Sequence, residues 1–502
     1  MTDIPRVLPA DEHNTALVRN AHPSDWAAPV PDGRYNLVVI GGGTAGLVSA
    51  LGAAALGGKV ALIEKHLLGG DCLNFGCVPS KGVIAAAHVA HTARTGAAWG
   101  VNTGEPSIDF ATAMERMRRA RATISHHDSA TRLKEDGVDV FLGAARFTGP
   151  DTVAVGDTTL RFARAVIATG ARALVPPIPG VEEAGVRTNT DIFELTELPR
   201  RLVVVGAGPI GCELAQAFRR FGSEVAIVDL LDRILAVEED EASELLTAAF
   251  EEEGIAVHTG AKVLRFAREG DDKLVVLETA EGEHTLRCDE VLLAIGRRPN
   301  VEGLDLDEAG IEADRTGVVV DRHLRTMNRR VYAAGDVCSR YKFTHAADAM
   351  AKIVLQNALF FGFKTVESLT IPWATYTDPE VAHVGISRKE ADRRRDVRTF
   401  LEPIDRNDRS LLEGETRGYV RIHALKNGTI LGATVVGRHA GELIAPLSLA
   451  MTHGLRLGAF AGTILPYPTR TEVLKRAASQ WQRTRLTPFL AALLRMLLRF
   501  RR

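Results

Sequence analysis

At 502 residues the chain is too long for one hydrophobic core and is expected to fold as several domains. A formal net charge of −2 with 25% charged residues excludes a global attraction to nucleic acid, and no apolar run reaches the roughly 18 residues that span a bilayer. Five cysteines in so long a chain, with no secretory signal, read as thiols of a cytoplasmic protein rather than a disulfide framework.

Residues 1–34 carry Pro and His without a helical or strand period and read as a loose arm, with Trp26 docked on the body. The apolar run 35–40 predicts a buried strand. It enters Gly41-Gly42-Gly43-Thr44-Ala45-Gly46, a small-residue helix over 47–56, and a second strand, 59–63, ending at Glu64. This is a dinucleotide fingerprint in its required context. The glycines allow a tight turn and close approach of a pyrophosphate to the helix N-terminus, and Glu64 can bond a ribose hydroxyl.

Next comes Gly69-Gly70-Asp71-Cys72-Leu73-Asn74-Phe75-Gly76-Cys77-Val78-Pro79-Ser80-Lys81. At a helix start this cysteine spacing allows a disulfide without requiring one. A helix N-terminus and nearby Lys81 would both favour thiolate, the nucleophilic form. Two other readings are a pair of small buried hydrophobes and half of a zinc site. Zinc needs a second ligand pair, and Cys212, Cys288 and Cys338 are scattered singly.

Residues 82–140 read as mainly helical, with His126-His127-Asp128 as a solvated helix face rather than a metal site. Strands are predicted at 138–147, 152–155 and 164–168, the last ending in Thr169-Gly170. Pro176, Pro177 and Pro179 mark a domain boundary. A second copy of the first unit follows: strand 202–205, Gly206-Ala207-Gly208-Pro209-Ile210-Gly211, a helix from near Cys212, and strand 224–228 ending at Asp229. First glycine and terminal acid are 23 positions apart in both copies (41 to 64, 206 to 229). Two units imply two dinucleotides, and a redox pair between them implies electrons passing from one to the other. Asp229 would repel a 2′-phosphate and favours NADH over NADPH, while Arg233 could accommodate one.

Residues 291–295 enter Gly296-Arg297-Arg298-Pro299-Asn300, residues 331–334 enter Gly335-Asp336, and Thr344-His345 opens a helix. Beyond Pro372, strands at 419–424 and 429–436 with helices at 442–453 and 471–480 suggest an α+β domain lacking a phosphate loop. The tail, 488–502, is a basic amphipathic helix that can lie on an anionic membrane surface or cover a partner.

With these motifs in this order, residues 35–480 resemble the FAD-dependent pyridine nucleotide–disulfide oxidoreductases, which include glutathione reductase, dihydrolipoyl dehydrogenase and mercuric reductase. The resemblance implies an α/β fold: two Rossmann-like dinucleotide-binding domains, FAD on 35–180 with 304–370 and NAD(P) on 181–303. A C-terminal α+β dimerisation domain would cover 371–480, between the arm 1–34 and the tail 481–502. It places FAD against Gly41, Gly43, Thr44, Ala45, Gly46, Glu64, Gly70, Asp71, Lys81, Thr169, Gly170, Asp336 and His345. NADH, or NADPH, would lie against Gly206, Gly208, Pro209, Ile210, Gly211, Asp229 and Gly296. It further implies a homodimer, with Cys77 next to the flavin, Cys72 as the outer interchange thiol, and Lys81 at the flavin edge paired with Glu213.

One departure bears on the substrate. Disulfide reductases of this family close with His-Pro and a glutamate, whereas this chain has Tyr467-Pro468 with Glu472 retained. Tyrosine is a poor proton shuttle at neutral pH, so a disulfide substrate is disfavoured. The tyrosine resembles mercuric reductase, whose Hg(II) substrate would sit transiently on Cys72 and Cys77. Mercuric reductases end in a vicinal cysteine pair; here no cysteine follows Cys338, so Hg(II) is expected to arrive as small-thiol adducts. The alternatives are a disulfide reductase like dihydrolipoyl dehydrogenase or glutathione reductase and, from another class, a membrane-associated redox-sensing module.

Overall fold

The computed structural model describes residues 5–501 and divides into two compact units. The first joins the chain up to Leu230 with Gly254–Leu369; the second joins Leu231–Glu253 with everything from Thr370 onward.

The arm departs from expectation. It is not loose: α1 (Glu12–Ala21) is capped by Asp11, whose carboxylate accepts from the Asn14 N–H at 2.7 Å. The helix buries only Asn14, Leu17 and Ala21, one of them polar, so it has no apolar stripe for a periodicity reading to find. Trp26 docks as expected, Nε1 donating to the Val140 carbonyl at 3.0 Å.

β1 (Arg34–Ile40), α2 (Thr44–Ala55) and β2 (Val60–Glu64) form the first fingerprint unit. α3 (Gly70–Asn74), α4 (Cys77–Thr95), α5 (Phe110–Ser125) and α6 (Ala130–Glu135) lead to β3 (Val138–Leu142). The strand expected over 138–147 is two strands. β3 lies parallel to β2, and β4 (Ala145–Gly149) turns away to pair antiparallel with β5 (Thr152–Val155), which pairs with β6 (Thr158–Ile167). His126 and His127 lie in a 3₁₀ turn, and the described residues contain no cluster of three metal-ligating side chains.

A short β7 (Ala171–Ala173) precedes the second unit of β8 (Arg201–Val205), α7 (Pro209–Phe221) and β9 (Glu224–Val228). α7 starts at Pro209, ahead of the expected Cys212, because proline suits the first helical position, where no N–H is needed. The chain then departs through α8 (Asp240–Glu252) and returns in β10 (Ile255–His258). An antiparallel meander of β11 (Lys262–Glu269), β12 (Asp272–Thr279) and β13 (Gly282–Cys288) leads to β14 (Glu290–Leu293). β15 (Arg297–Pro299) pairs with β7; β16 (Ala313–Asp314) and β17 (Gly317–Val318) form a small hairpin; β18 (Val331–Ala333) joins β6, and α9 (Thr344–Leu359) follows.

Strand order is β3-β2-β1-β6-β5-β4, with β18 on β6, in the first sheet and β10-β9-β8-β14 in the second. Register decides what meets at the sheet edge. Ile40 lies opposite both Ile63 and Ile167, and Ile167 opposite Ala333, so Gly41, Glu64, Thr169 and Gly335 leave together. In the second sheet Val205 lies opposite Val228 and Leu293, so Gly206, Asp229 and the turn before Gly296 also leave together. Such a carboxyl-end crevice is where open α/β sheets bind ligands. Val38, Ile40, Phe147, Phe162 and Ile167 fill the first core, and Val203, Val205, Val228 and Leu293 the second.

The C-terminal unit is an antiparallel sheet in the order β19 (Pro372–Thr375), β20 (Glu380–Gly385), β23, β22, β21. Here β21 is Val397–Pro403, β22 Tyr419–Leu425 and β23 Ile430–Gly437. Short α10 (Arg388–Asp392) and α11 (Asp408–Leu412) occur between strands; α12 (Ala440–Thr452), α13 (Leu457–Gly462), α14 (Glu472–Thr484) and α15 (Pro488–Phe500) complete the chain. On one face Val420, Ile422 and Val435 pack against Leu447, Leu474 and Trp481. The other face is polar yet covered. Glu239, capping α8, accepts from Tyr419 Oη and Thr434 Oγ1 at 2.9 Å each and pairs with the buried Arg421. That second cover explains a strand reading Tyr-Val-Arg-Ile-His-Ala with no exposed residue. No helix among the described residues is long and apolar enough to cross a membrane.

Candidate active site

The two fingerprint units match in detail. Gly41 and Gly206 both have φ +108°, and a Cβ on Gly46 or Gly211 would lie 1.8 Å from the carbonyl oxygen of Gly41 or Gly206. The terminal acids are used alike: Gly42 N–H donates to Glu64 Oε2 and Ala207 N–H to Asp229 Oδ2, each at 2.6 Å.

These loops suit a dinucleotide. The N-cap residues of α2 and α7 are Gly43 and Gly208, which have no side chain to bond the N–H groups of Thr44-Ala45-Gly46 or of Ile210-Gly211. Gly208 has an ordinary φ of −75°, and a Cβ there would meet nothing within 4 Å. Neither conformation nor packing demands glycine, so the room it leaves is room for a phosphate. A Cβ on Gly170 or Gly296 would likewise meet nothing within 4 Å. Their turns are joined: Thr169 Oγ1 donates to the Asn300 carbonyl at 2.6 Å, and Asn300 N–H to the Gly170 carbonyl at 3.0 Å.

The redox segment crosses the first loop at its double glycine. Gly69 N–H donates to the Gly42 carbonyl at 2.9 Å, and a Cβ on Gly70 would lie 2.6 Å from Gly43 Cα. This crossing fixes the cysteines beside the first dinucleotide site. Cys72, in α3, and Cys77, the first residue of α4, are free thiols that hydrogen bond each other. The Cys77 thiol is drawn down to about 6, chiefly by the bond from Cys72, with the Thr344 hydroxyl and the Lys81 charge acting the same way against desolvation. Cys72 is pushed up by the same bond and by burial. Cys77 is therefore the thiolate, as its place at the N-terminus of a 19-residue helix favours.

One turn further along α4, Lys81 Nζ donates to Glu213 Oε2 at 2.7 Å, and the Glu213 side chain is only 4% exposed. The second fingerprint helix thus holds the lysine that serves the cysteines. Asp71 accepts from Asn189 Nδ2 at 3.1 Å and pairs with Arg297 Nη2 at 3.2 Å; Arg297 Nε lies 3.6 Å from Asp336 Oδ2. Burial pushes the Asp336 carboxyl up against the pull of Arg297 and Lys342. His345 is exposed at the second position of α9, its ring stacked on Phe343 at 5.5 Å.

Several residues of this site went unassigned in the sequence. Thr344, in the sequence only a helix start, brings its Oγ1 to 3.4 Å from Cys77 Sγ. Arg297 lay inside a quoted motif without a role. Arg121, fully buried, donates to the Asn74 carbonyl between the cysteines at 2.6 Å and to Asn14 Oδ1 of α1 at 2.7 Å, so the arm braces the redox segment. Asn14→Ala removes an acceptor from a buried guanidinium, at a cost of about 2 kcal/mol. Amides of α1 and residues 67–74 should then exchange hydrogen at least about tenfold faster; unchanged exchange would show that the brace carries no energy.

In the C-terminal unit, Tyr467 Oη donates to Asp408 Oδ2 at 3.1 Å, and that bond raises the phenol above its ordinary value. Glu472 opens α14 nearby, and its buried Oε2 has no hydrogen-bond partner among the described residues.

The chain matches the model of the pyridine nucleotide-disulphide oxidoreductase family over residues 35–351 and that family's dimerisation domain over 371–478. The chain belongs to this family. Its members use FAD and NAD(P)H, and the residues around the two fingerprint loops fit both. The protein is an FAD-dependent pyridine nucleotide–disulphide oxidoreductase carrying the family's dimerisation domain. It is 35% identical to a mercuric reductase of Bacillus cereus over 88% of this chain and 71% of that one. It is 34% identical to a dihydrolipoyl dehydrogenase of Haloferax volcanii over 88% and 95%. Among solved structures it resembles the HOCl-induced flavoprotein disulfide reductase RclA of Escherichia coli, a cysteine-to-serine mutant in complex with Cu(II). The TM-score is 0.81 at 27% identity, covering 89% of this chain and 99% of that one.

Proposed function

We propose that this oxidoreductase is a homodimeric, cytoplasmic, NADH-dependent reductase of a thiophilic metal ion, with Hg(II) as a small-thiol adduct the leading acceptor. Tyr467 carries the reading. It stands where disulfide reductases of the family place histidine, and Asp408 holds its phenol protonated. Such a phenol cannot shuttle a proton to a leaving thiol, as a disulfide substrate requires. A soft ion between two thiolates needs an electron pair instead.

FAD would be held by the first fingerprint loop, Gly41 to Gly46 with Glu64, and when bound would supply two-electron transfer from NADH to the Cys72–Cys77 disulfide. Opening that bond leaves Cys77 as thiolate, held by Cys72, Thr344 and Lys81, and Cys72 as thiol. Glu213 keeps the Lys81 charge in place. Exchange of a bis-thiol adduct onto the pair forms two metal–sulfur bonds, and its two thiol ligands leave with the Cys72 proton. A second NADH supplies an electron pair and a proton: the pair releases Hg(0) as both metal–sulfur bonds break, and the proton returns Cys72 to the thiol while Cys77 stays thiolate. Asp229, at the end of β9, disfavours a 2′-phosphate and so supports NADH as donor. In this reading 35–180 with 304–370 hold FAD, 181–303 hold NADH, and 371–480 form the dimer. Tyr467 and Glu472 of one subunit complete the site of the other. Membrane contact through the tail is separate from this chemistry.

Two other acceptors have specific support: Cu(II), bound in the solved E. coli relative, and a disulfide, from the dihydrolipoyl dehydrogenase likeness. The test is steady-state NADH and NADPH oxidation with thiol-bound Hg(II), with Cu(II), and with lipoamide or glutathione disulfide. Rapid turnover with a metal ion alone supports the proposal, and rapid turnover with a disulfide overturns it. Silence with all three, beside normal flavin reduction, would favour the sensing reading. Tyr467→His should raise disulfide turnover by about 10- to 100-fold if proton supply is the limit; no change would count against this account of Tyr467.

A further inference from the structure

We infer that α15 docks the protein on an anionic membrane surface, lying in the interface rather than crossing it. The helix starts by its own local chemistry: Thr487 Oγ1 accepts from the Leu490 N–H at 3.3 Å, and Pro488 takes the first position. It buries none of its residues, and Phe489 and Phe500 are 80% and 82% exposed. At roughly 100° per residue, Phe489, Leu493, Met496, Leu497 and Phe500 fall on one broad face, and Ala491, Ala492, Arg495 and Arg499 on the opposite one. An apolar face of this breadth calls for a cover.

Charge selects the cover. No acidic residue follows Glu472, while eight basic ones do, four of them, Arg495, Arg499, Arg501 and Arg502, within 495–502. On a chain whose net charge is −2 this is a local concentration of positive charge. Two copies of it brought together repel, and the matched dimerisation domain ends at 478, before α15 begins. A layer of anionic headgroups takes both faces at once: acyl chains receive the phenylalanines and leucines, and phosphates and carboxylates the arginines. The helix has 13 residues and so rises about 20 Å, short of the roughly 30 Å hydrocarbon core, which lays it in the membrane plane.

The experiment is co-sedimentation of the FAD-loaded, full-length protein with phosphatidylcholine vesicles, with and without phosphatidylserine. Wild type should bind the phosphatidylserine vesicles at least tenfold better, and high salt should release it. Leu493→Glu with Leu497→Glu, and separately Arg495→Gln with Arg499→Gln, should each cut binding about tenfold or more. Both should leave NADH reduction of the flavin and the sizing profile unchanged. Absence of sedimentation with either vesicle, or equal sedimentation with both, overturns the inference. Dissociation of the dimer by the Leu493→Glu, Leu497→Glu variant would also overturn it, by showing that a second copy covers the helix. None of these readings depends on which acceptor the enzyme reduces.

Discussion

Cys72→Ser is expected to lower acceptor reduction by at least about 10³-fold while the protein retains FAD and NADH still reduces it. In the proposed reaction Cys72 is the outer thiol and supplies one of the two sulfurs onto which the acceptor exchanges. Cys72→Ala would in addition remove the bond that contributes most to the low pKa of Cys77, since serine keeps an O–H that can donate in its place. Alkylation at pH 7 separates the two effects. Wild-type Cys77, with its thiol at about 6, should be mostly thiolate and label quickly. In Cys72→Ala it should label more slowly, and in Cys77→Ser the remaining Cys72 should label slowest, because burial and the like charge of Asp71 oppose its ionisation. Full acceptor turnover in the Cys72→Ser, Cys77→Ser double variant would sink the dithiol relay.

Lys81→Met carries the second large effect. It removes a charge that helps hold Cys77 low, so the alkylation midpoint of Cys77 should rise by about one unit. It also takes from the Glu213 carboxylate, 4% exposed, the ammonium that Lys81 holds 2.7 Å away. Breaking a buried pair costs about 3–5 kcal/mol, and the partial exposure of Lys81 lowers this to about 2–3 kcal/mol. Lys81→Met with Glu213→Gln should recover most of the stability, because both charges of the pair are removed together, yet keep the raised midpoint. Recovery of both, or of neither, would mean the pair has no separate electrostatic role. The pH dependence has a definite sign. Cys77 lies at about 6 against 9.0 for an unperturbed thiol. Its stabilisation of the reduced protein is therefore complete above pH 9 and is lost as the pH falls through about 6. Denaturation of the reduced protein across that range reads it directly.

What the sequence determined by itself was everything carried in short windows. The two fingerprint turns, their 23-residue spacing and the double glycine before the cysteines are local backbone requirements, and glycine is nearly the only residue that meets them. The tail helix, too, was legible from its leucines and phenylalanines set among four arginines. Pairings between polar residues far apart in the chain emerge only with the fold. Arg297 reaching both Asp71 and Asp336, Arg121 tying Asn14 to Asn74, and Thr344 beside Cys77 belong to no period and no spacing. The polar face of β22, which could have passed for a solvated one, is buried because residues 231–253 leave the second nucleotide unit to cover it. A polar residue earns its burial from its partner, and the partner is chosen by strand register and helix packing, which no local window contains.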